Sequence, residues 1–375
     1  MIVVYILCAL LVLMLMILIH ELGHYIVGRK LGFKITEFSI GFGKAIWQKT
    51  NKRGEKISLR ILPLGGYCAF YGEDDGEGDK LPDPNDPKLF NNQKPWKRIL
   101  VYLAGVTFNF ISAIIFAFIL LVSTGYGNAY RVDNVNEHFV ASASAQNQIA
   151  SLDKGDLILN IDGKRIDYVW DKTVENYVEN EVGNSYTLTI KKAETGEVFD
   201  INVEVQNNIE MYYNTETEIY EIKYDEGGNA VYYTGLGISM ALTSTPVSFL
   251  DALWQCFTLA FGFAWLVLKT LWLLITFQLP LSALGGTATV ISTVATSMGI
   301  DFSVVLVYLP LIAANLAIFN LLPFPALDGG HTLFTTIEWI RGKPINRNIE
   351  ATIHFVGLIL IFAFVIFLDL YHFLG

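Results

Sequence analysis

The chain has 375 residues, of which 53% are hydrophobic and only 17% are charged. A soluble protein of this length carries more charge on its surface, so an integral membrane protein is the first class to consider. The formal net charge of -10 argues against a nucleic-acid partner. The three cysteines, Cys8, Cys68 and Cys256, are too widely separated for a disulfide framework or a Cys-x-x-Cys metal pair.

Residues 1–28 are predicted to form the first transmembrane helix. Residues 3–19 contain no charged side chain, and the segment is long enough to cross roughly 30 Å of hydrocarbon. It lacks the basic start and the small-residue cleavage site of a secretory signal. We therefore interpret it as a retained membrane helix.

The far end of this helix carries the motif His20-Glu21-Leu22-Gly23-His24. His20 and His24 are four residues apart, so both imidazoles lie on one helix face. Two such imidazoles are the usual first half of a zinc site, and the neighbouring glutamate is the usual general base. In a soluble helix the same pattern can be a solvated polar face. Inside an apolar segment three polar side chains are costly, which favours a functional site.

Residues 29–97 are rich in lysine and arginine and are predicted to be a cytoplasmic loop by the positive-inside rule. The N-terminus would then be outside the cell. Residues 38–43 and 62–67 are typical of strands and turns, which predicts a membrane-associated β-hairpin. The acidic, proline-containing residues 73–87 are predicted to be a linker.

Residues 98–124 are the second predicted transmembrane helix, and they contain Asn109, which serves either an interhelical hydrogen bond or the site. Residues 125–242 are acid-rich and predict an extracytoplasmic β-rich domain. Its strands are expected at residues 157–163 and 185–190, where polar and apolar residues suit short strands and turns. A hairpin is expected to follow, formed by residues 219–224 and 230–233.

The remaining segments are predicted to be interfacial or re-entrant helices (243–300), a third transmembrane helix (301–322), a motif-bearing cytoplasmic loop (323–350) and a fourth transmembrane helix (351–373). Asp328, at the edge of the third, is either a helix cap or the third ligand of an open His2Asp zinc site. A ligand must lie at the depth of His20 and His24. The chain must then enter residue 302 from outside, so residues 249–277 lie along the outer interface or residues 279–298 return through the membrane.

Pro323 and Pro325 remove backbone donors and end the third helix before Asp328. Irregular backbone at membrane depth requires protein or water around it, which predicts a water-accessible cavity there. Extended backbone beside it could pair with an unwound substrate.

The chain resembles the site-2 proteases, which are intramembrane zinc metalloproteases, and in particular the bacterial type with an extracytoplasmic PDZ domain that regulates sigma factors. The resemblance covers nearly the whole chain. The matching strings are His20-Glu21-Leu22-Gly23-His24, Asn320-Leu321-Leu322-Pro323-Phe324-Pro325-Ala326-Leu327-Asp328-Gly329-Gly330-His331, Gly41-Phe42-Gly43, Pro63-Leu64-Gly65-Gly66-Tyr67 and the PDZ-like Asp153-Lys154-Gly155-Asp156-Leu157-Ile158 with Ile161-Asp162-Gly163.

The resemblance implies that a zinc ion is held by His20, His24 and Asp328 and that Glu21 is the catalytic base. It also implies that a substrate is held as an added strand by two segments. The residues concerned are Asn320, Pro323, Pro325, Gly65, Gly66 and Tyr67. The implied substrates are single-span membrane proteins, such as anti-sigma factors or signal-peptide remnants, in the plasma membrane. A substrate ectodomain or peptide would meet the PDZ-like domain.

Two strings depart from the family pattern. Val106 follows Ala104-Gly105 where the family usually has proline, and Gly285-Gly286 stands where Gly-Pro is usual. Neither departure touches the expected ligands. Two other functions remain as alternatives: a transporter that uses the intramembrane histidines and aspartate as an ion path, and a catalytically silent scaffold that binds peptide ends.

Overall fold

The computed structural model describes residues 2–72, 86–135, 149, 151–214, 219–280 and 284–374. The chain divides into two compact units. The helical unit contains Met1–Ile119 and Leu253–Gly375, and the sheet unit contains Leu120–Ala252. Most of the predicted linker at residues 73–87 lies outside the described residues.

The helices are α1 (Ile2–Lys30), α2 (Pro95–Ser123), the single turn α3 (Val174–Tyr177), α4 (Phe249–Ile275), α5 (Thr287–Ile300), α6 (Val305–Leu321), α7 (Asp328–Arg341) and α8 (Arg347–Leu374). Among the described residues, five helical segments are long and apolar enough to cross a membrane: α1, α2, α4, Phe302–Leu321 and Arg347–His372. The protein is therefore a multi-pass membrane protein. Helix α4 is continuous, and its predicted interfacial or re-entrant placement stays a prediction.

Helices α1 and α6 run in the same direction. Near their N-terminal ends, Tyr5 and Val305 belong to one apolar cluster. Beyond the C-terminal end of α6, Asp328 meets His20 of α1. The chain therefore enters α6 on the side where α1 begins, which is the geometry that a shared depth for the three candidate ligands requires.

Helix α5 packs at this same N-terminal end. Its Val294 and Met298 are buried against Ala9 of α1. Its first turn is capped by Asp369 of α8, which accepts hydrogen bonds from the Thr289 backbone N–H at 2.9 Å and from its hydroxyl. With 14 residues, α5 is about 21 Å long, which is too short to cross roughly 30 Å of hydrocarbon by itself.

The predicted β-hairpin is present as β1 (Ile35–Thr50) and β2 (Lys56–Phe70). It is folded back on itself, since residues 37–40 lie opposite residues 66–69 on one side and residues 56–59 on the other. The first strand bends at Gly41, whose φ of +87° suits glycine. A Cβ there would also lie 2.6 Å from the Leu62 carbonyl oxygen. The Gly41-Phe42-Gly43 string is thus explained by a sharp bend beside a second strand.

Two contacts fasten this hairpin to α1. The Tyr25 hydroxyl donates to the Glu55 carboxylate in the hairpin turn at 2.9 Å. At the other end the Phe70 ring lies against Gly28 of α1, where a Cβ would overlap the ring. The same ring packs with Phe33 and Phe90 in a buried aromatic cluster. The final segment of β2 is thereby held along the C-terminal half of α1, where the His-Glu-x-x-His motif lies.

The sheet unit confirms the β-rich prediction. The strands of its main sheet are β3 (Ala129–Val135), β4 (Leu157–Ile161), β5 (Lys164–Arg165), β6 (Ser185–Lys191), β7 (Val198–Glu204) and β12 (Ile238–Thr243). They are all antiparallel in the order β12-β3-β4-β6-β7, with β5 paired to β4. Inward-facing Ile158, Leu188 and Val203 form its core. Both expected strands are therefore confirmed.

The predicted second hairpin is confirmed next to its turn, where Tyr224 pairs with Ala230 and the Val231 N–H donates to the Lys223 carbonyl oxygen. Asp225 and Asn229 close the expected reversal. Farther from the turn, the two flanking strands pair with an earlier segment of the chain. The pairs are β10 (Ile219–Ile222) with β9 (Met211–Asn214), and β11 (Tyr232–Gly235) with β8 (Gln206–Ile209). The local sequence marks where the chain reverses, but backbone hydrogen bonds with strands earlier in the chain decide which further neighbours each arm takes.

Candidate metal centre

The two histidines of α1 are buried and meet at one point. Their Nε2 atoms lie 3.1 Å apart. The His24 Nδ1–H donates to the Val101 carbonyl oxygen of α2 at 2.8 Å. Since this hydrogen bond places the proton on Nδ1, the Nε2 of His24 presents a lone pair, as a metal ligand must.

Asp328 reaches the same point from the other end of the chain. Pro323 follows the last helical turn of α6, and extended backbone at Leu322 and Leu327 carries the chain to the start of α7. Asp328 is the first residue of α7 rather than its N-cap. Its Oδ2 lies 3.1 Å from His20 Nε2 and 3.5 Å from His24 Nε2. The alternative role as a helix cap is therefore not the one observed.

The donor set fits a zinc ion. Zinc bonds of about 2.0–2.1 Å in a tetrahedron place ligand atoms about 3.3 Å apart, and the three separations here are 3.1, 3.1 and 3.5 Å. Within the part of the chain that the structure describes, Asp328 Oδ2 is buried and has no hydrogen bond. A buried carboxylate oxygen without a donor is costly, which a cation at this point would relieve.

Gly105 of α2 makes room for the two imidazoles. A Cβ at this position would lie 2.8 Å from His20 Nδ1 and closer still to His24 Nε2. On α1, a Cβ at Gly23 would lie 2.5 Å from the Ala104 carbonyl oxygen. The two glycines allow α1 and α2 to approach closely at the depth of the histidines. Sequence reasoning noted Gly105 only within a family string.

Asn109, which the sequence left open between two roles, lies at the site. It is fully buried, and its amide nitrogen lies 3.2 Å from His20 Nδ1. Its Oδ1 is buried and has no hydrogen bond among the described residues. Rotation of the amide by 180° exchanges the two atoms, so that Oδ1 accepts from His20 Nδ1–H. That arrangement satisfies the oxygen and leaves His20 Nε2 free for a metal.

Glu21 is next to the cluster and is held by the β-hairpin. The Cys68 backbone N–H donates a hydrogen bond to its carboxylate. The neighbouring Gly66 allows β1 and β2 to approach closely, because a Cβ there would lie 2.7 Å from the Ser39 carbonyl oxygen. The same Cβ would lie 3.5 Å from Glu21 Cγ, an ordinary contact distance, so this strand passes next to Glu21. The strand that carries Gly65, Gly66 and Tyr67 therefore runs directly beside the candidate base.

The residues predicted to hold a substrate lie in two segments next to the cluster. Gly66 adjoins Glu21, whereas the Tyr67 ring stacks on Phe42 within the hairpin. The other segment ends at Asp328 and contains half-buried and exposed positions. These are Asn320, Pro323 and Pro325. Their contact with a substrate stays a prediction.

Comparison with known proteins agrees with this geometry. The profile of Peptidase family M50 matches residues 8–364. A relative from Nostoc sp. (strain PCC 7120) named as a zinc metalloprotease is 31% identical over 374 residues, covering 97% of this chain and 94% of the relative. Another from Clostridium perfringens, similarly named, is 30% identical over 367 residues, covering 96% of both chains.

A third relative has a name that refers to sigma-factor regulation. The Regulator of sigma E protease of Haemophilus influenzae is 26% identical over 435 residues, covering 93% of this chain and 94% of the relative. The family match over most of the chain and the shared zinc metalloprotease names agree with the buried His and Asp cluster. The chain therefore belongs to peptidase family M50, the site-2 proteases, and is a zinc metalloprotease of the membrane.

Proposed function

We propose that His20, His24 and Asp328 bind the catalytic zinc ion, that Glu21 is the general base, and that the enzyme hydrolyses peptide bonds in or near the transmembrane segments of single-span membrane proteins. The observation that carries this proposal is the convergence of three ligand atoms from α1 and α7 on one buried point, beside the candidate base. The spacing is that of an open zinc site with three protein ligands.

The chemistry requires one proton carrier. When bound, zinc supplies Lewis-acid polarisation and favours deprotonation of water. Glu21 accepts the proton of the attacking water and later donates it to the leaving amine, because it is the carboxylate next to the ligands that is not itself a ligand. The Cys68 N–H orients the Glu21 carboxylate for both transfers. His24 is held in its ligand tautomer by Val101.

The substrate backbone must be extended before it can be cut, because peptide bonds inside a helix are shielded. Two segments beside the cluster support such a conformation. The strand at Gly66 and Cys68 runs next to Glu21, and the proline-interrupted segment before Asp328 has no helical hydrogen bonding at Pro323. We propose that the substrate is added as a strand between them.

We also propose an orientation in the membrane and a role for the sheet unit. The sheet unit is an extracytoplasmic PDZ-like domain that limits or docks substrate ectodomains, and the N-terminus is outside the plasma membrane. The active site then faces the cytoplasmic side, in agreement with the basic loop that follows α1. Likeness to the Haemophilus influenzae relative supports anti-sigma-factor cleavage, and signal-peptide remnants are a second substrate class.

The test is co-expression of the protein with a panel of tagged single-span membrane proteins, with zinc counted in the purified enzyme. Glu21→Gln should abolish cleavage and retain one zinc ion per chain, since the base is lost and the ligands are kept. The matched control is Glu226→Gln, which changes an exposed residue in the turn between β10 and β11. This variant should cleave the substrate like the wild type. Cleavage by Glu21→Gln would contradict the assigned mechanism.

A further inference from the structure

The turn that leads into Asp328 is fixed by a side chain from the last helix. The Ala326 backbone N–H donates a hydrogen bond to His354 Nδ1 of α8 at 2.8 Å. Ala326 has a φ of +75°, which is uncommon for a residue with a Cβ. Such a conformation persists only where the surroundings hold it in place. It lies two residues before the candidate ligand.

A second contact presses α8 against the same turn. A Cβ at Gly357 would lie 2.5 Å from Pro325 Cβ and 2.8 Å from the Pro325 carbonyl oxygen. Gly357 is three residues after His354, so both lie on the same face of α8. The helix thus supplies a close surface for Pro325 and a hydrogen-bond acceptor for Ala326.

We propose that His354 is a positioning residue for the metal centre: its Nδ1 holds the Ala326 N–H and so fixes the turn that directs the Asp328 carboxylate toward His20 and His24. The inference rests on the proposed role of Asp328 as a ligand. No other described hydrogen bond is donated by the Ala326 N–H. Without an acceptor the N–H of this left-handed residue would be unsatisfied, and the turn would lose its preference for the observed conformation.

A second metal site is the rival explanation, because potential ligand atoms of His331, Glu350 and His354 lie within 4.8 Å of one another. The geometry opposes it. The two imidazole rings are stacked with centroids 3.8 Å apart and an angle of 6° between their planes. Lone pairs lie in the ring plane, so those of parallel stacked rings do not converge on one ion. Glu350 also lies 3.5 Å from Arg347, and His354 Nδ1 is already an acceptor.

Two substitutions distinguish the role of the His354 hydrogen-bond acceptor from that of its aromatic ring. His354→Phe keeps an aromatic ring against His331 and removes the acceptor. His354→Asn removes the ring and keeps an acceptor near the position of Nδ1, since an asparagine Oδ1 lies at a similar distance along the side chain. Positioning predicts that the Phe variant binds zinc about 10–100-fold more weakly, the range for lost outer-shell partners, and that the Asn variant is largely rescued.

The experiment measures zinc affinity and the visible spectrum of the full-length protein loaded with Co2+, which reports ligand geometry independently of cleavage. His354→Phe should alter the spectrum, and His354→Asn should restore it. The matched control is His372→Phe, near the other end of α8, which should bind both metals like the wild type. One zinc ion per wild-type chain is expected.

Three results would overturn the inference. These are wild-type affinity and spectrum in His354→Phe, equal losses in the Phe and Asn variants, and a second zinc ion in the wild type that either variant removes. Asp328→Ala, measured in parallel, separates this inference from the proposed function. If that variant binds zinc like the wild type, the ligand assignment itself is wrong. If Asp328→Ala loses zinc and the His354 variants do not, Asp328 is confirmed as a ligand and the positioning role of His354 is wrong.

Discussion

Two clusters of ionisable side chains lie close together in the helical unit, and they differ in the direction of their lone pairs. They are the convergent cluster, His20, His24 and Asp328, and the stacked cluster, His331, Glu350 and His354. In the first, ligand atoms from separate elements lie 3.1–3.5 Å apart around one point. In the second, the rings are parallel and one nitrogen already accepts a hydrogen bond. Each cluster has two histidines and one carboxylate whose potential ligand atoms lie within 4.8 Å of one another, so orientation decides which cluster suits a metal.

Removing the carboxylate from each cluster in turn should give the largest difference in zinc binding between the two clusters. Asp328→Ala should weaken zinc binding by more than about 100-fold, beyond the effect of losing an outer-shell partner. Glu350→Ala should leave the zinc content unchanged. Both are measured by metal analysis of purified protein after dialysis against a zinc buffer. Loss of zinc from the Glu350 variant would contradict the claim that only the convergent cluster binds the metal.

Filling the space at the convergent cluster should have the next largest effect. Gly105→Ala places a Cβ within 2.8 Å of His20 Nδ1, which must displace at least one imidazole and so reduce zinc occupancy and activity at least tenfold. The matched control is Gly299→Ala, whose Cβ would lie 3.5 Å from the Tyr5 ring, an ordinary contact. Equal occupancy in both variants, measured by the same metal analysis, would show that the site is wider than described.

Substitutions at Asn109 test whether its side chain fixes the tautomer of His20. Asn109→Leu removes the amide beside Nδ1 and should weaken zinc binding about 10–100-fold. Asn109→Asp keeps an oxygen that accepts from Nδ1–H and should retain most of the affinity. The measurement is competition with a zinc chelator. Equal affinities for the Leu and Asp variants would contradict the assigned hydrogen bond.

The smallest effect on zinc binding is expected from a substitution in the sheet unit, where the buried carboxylate of Asp156 is satisfied by hydrogen bonds and needs no metal ion. Burial opposes the charge, but the backbone donors of Asp153 and Ala193, and then Lys192, hold the pKa of Asp156 below its ordinary value. Because the folded pKa is the lower one, its stabilisation is present above the ordinary pKa and is lost as pH falls through the lowered value. Asp156→Asn should cost about 1–3 kcal/mol of unfolding free energy.

Hydrogen exchange of the sheet unit in the full-length protein measures that cost. Zinc content should stay at the wild-type value in Asp156→Asn. The exposed Asp200→Asn serves as the control and should change neither quantity. Unchanged exchange in Asp156→Asn at neutral pH would show that its hydrogen bonds do not stabilise the sheet.

The spacing of His20 and His24 was sufficient to predict one half of the cluster, since the helix repeat fixes their common face. Asp328 followed from its motif together with the depth that a ligand needs. The groups that orient the histidines could not be predicted in this way. Val101 is 77 residues from His24, and Asn109 is 89 residues from His20. Apart from its polar motif, helix α1 is apolar, so its sequence does not indicate which helix packs against the histidines or which of its residues orient them.

The two hairpins show the same limit for strands. Turn residues predicted the reversal from Asp225 to Asn229. They did not predict that residues 37–40 take partners on both sides, or that β10 and β11 pair with earlier strands. Turn chemistry is local, whereas strand partners are chosen by burial and by backbone hydrogen bonds between distant segments. The hairpin strand beside Glu21, which orients the candidate base, depends on this longer-range choice.

The most direct test of the central claim is X-ray absorption at the zinc edge, comparing the wild type with His331→Ala. We expect two imidazole nitrogens at about 2.0–2.1 Å and carboxylate oxygen at about 2.0–2.2 Å in both proteins, because the convergent cluster alone holds the ion. A third imidazole in the wild type, or the loss of one in His331→Ala, would contradict the assignment of zinc to His20, His24 and Asp328.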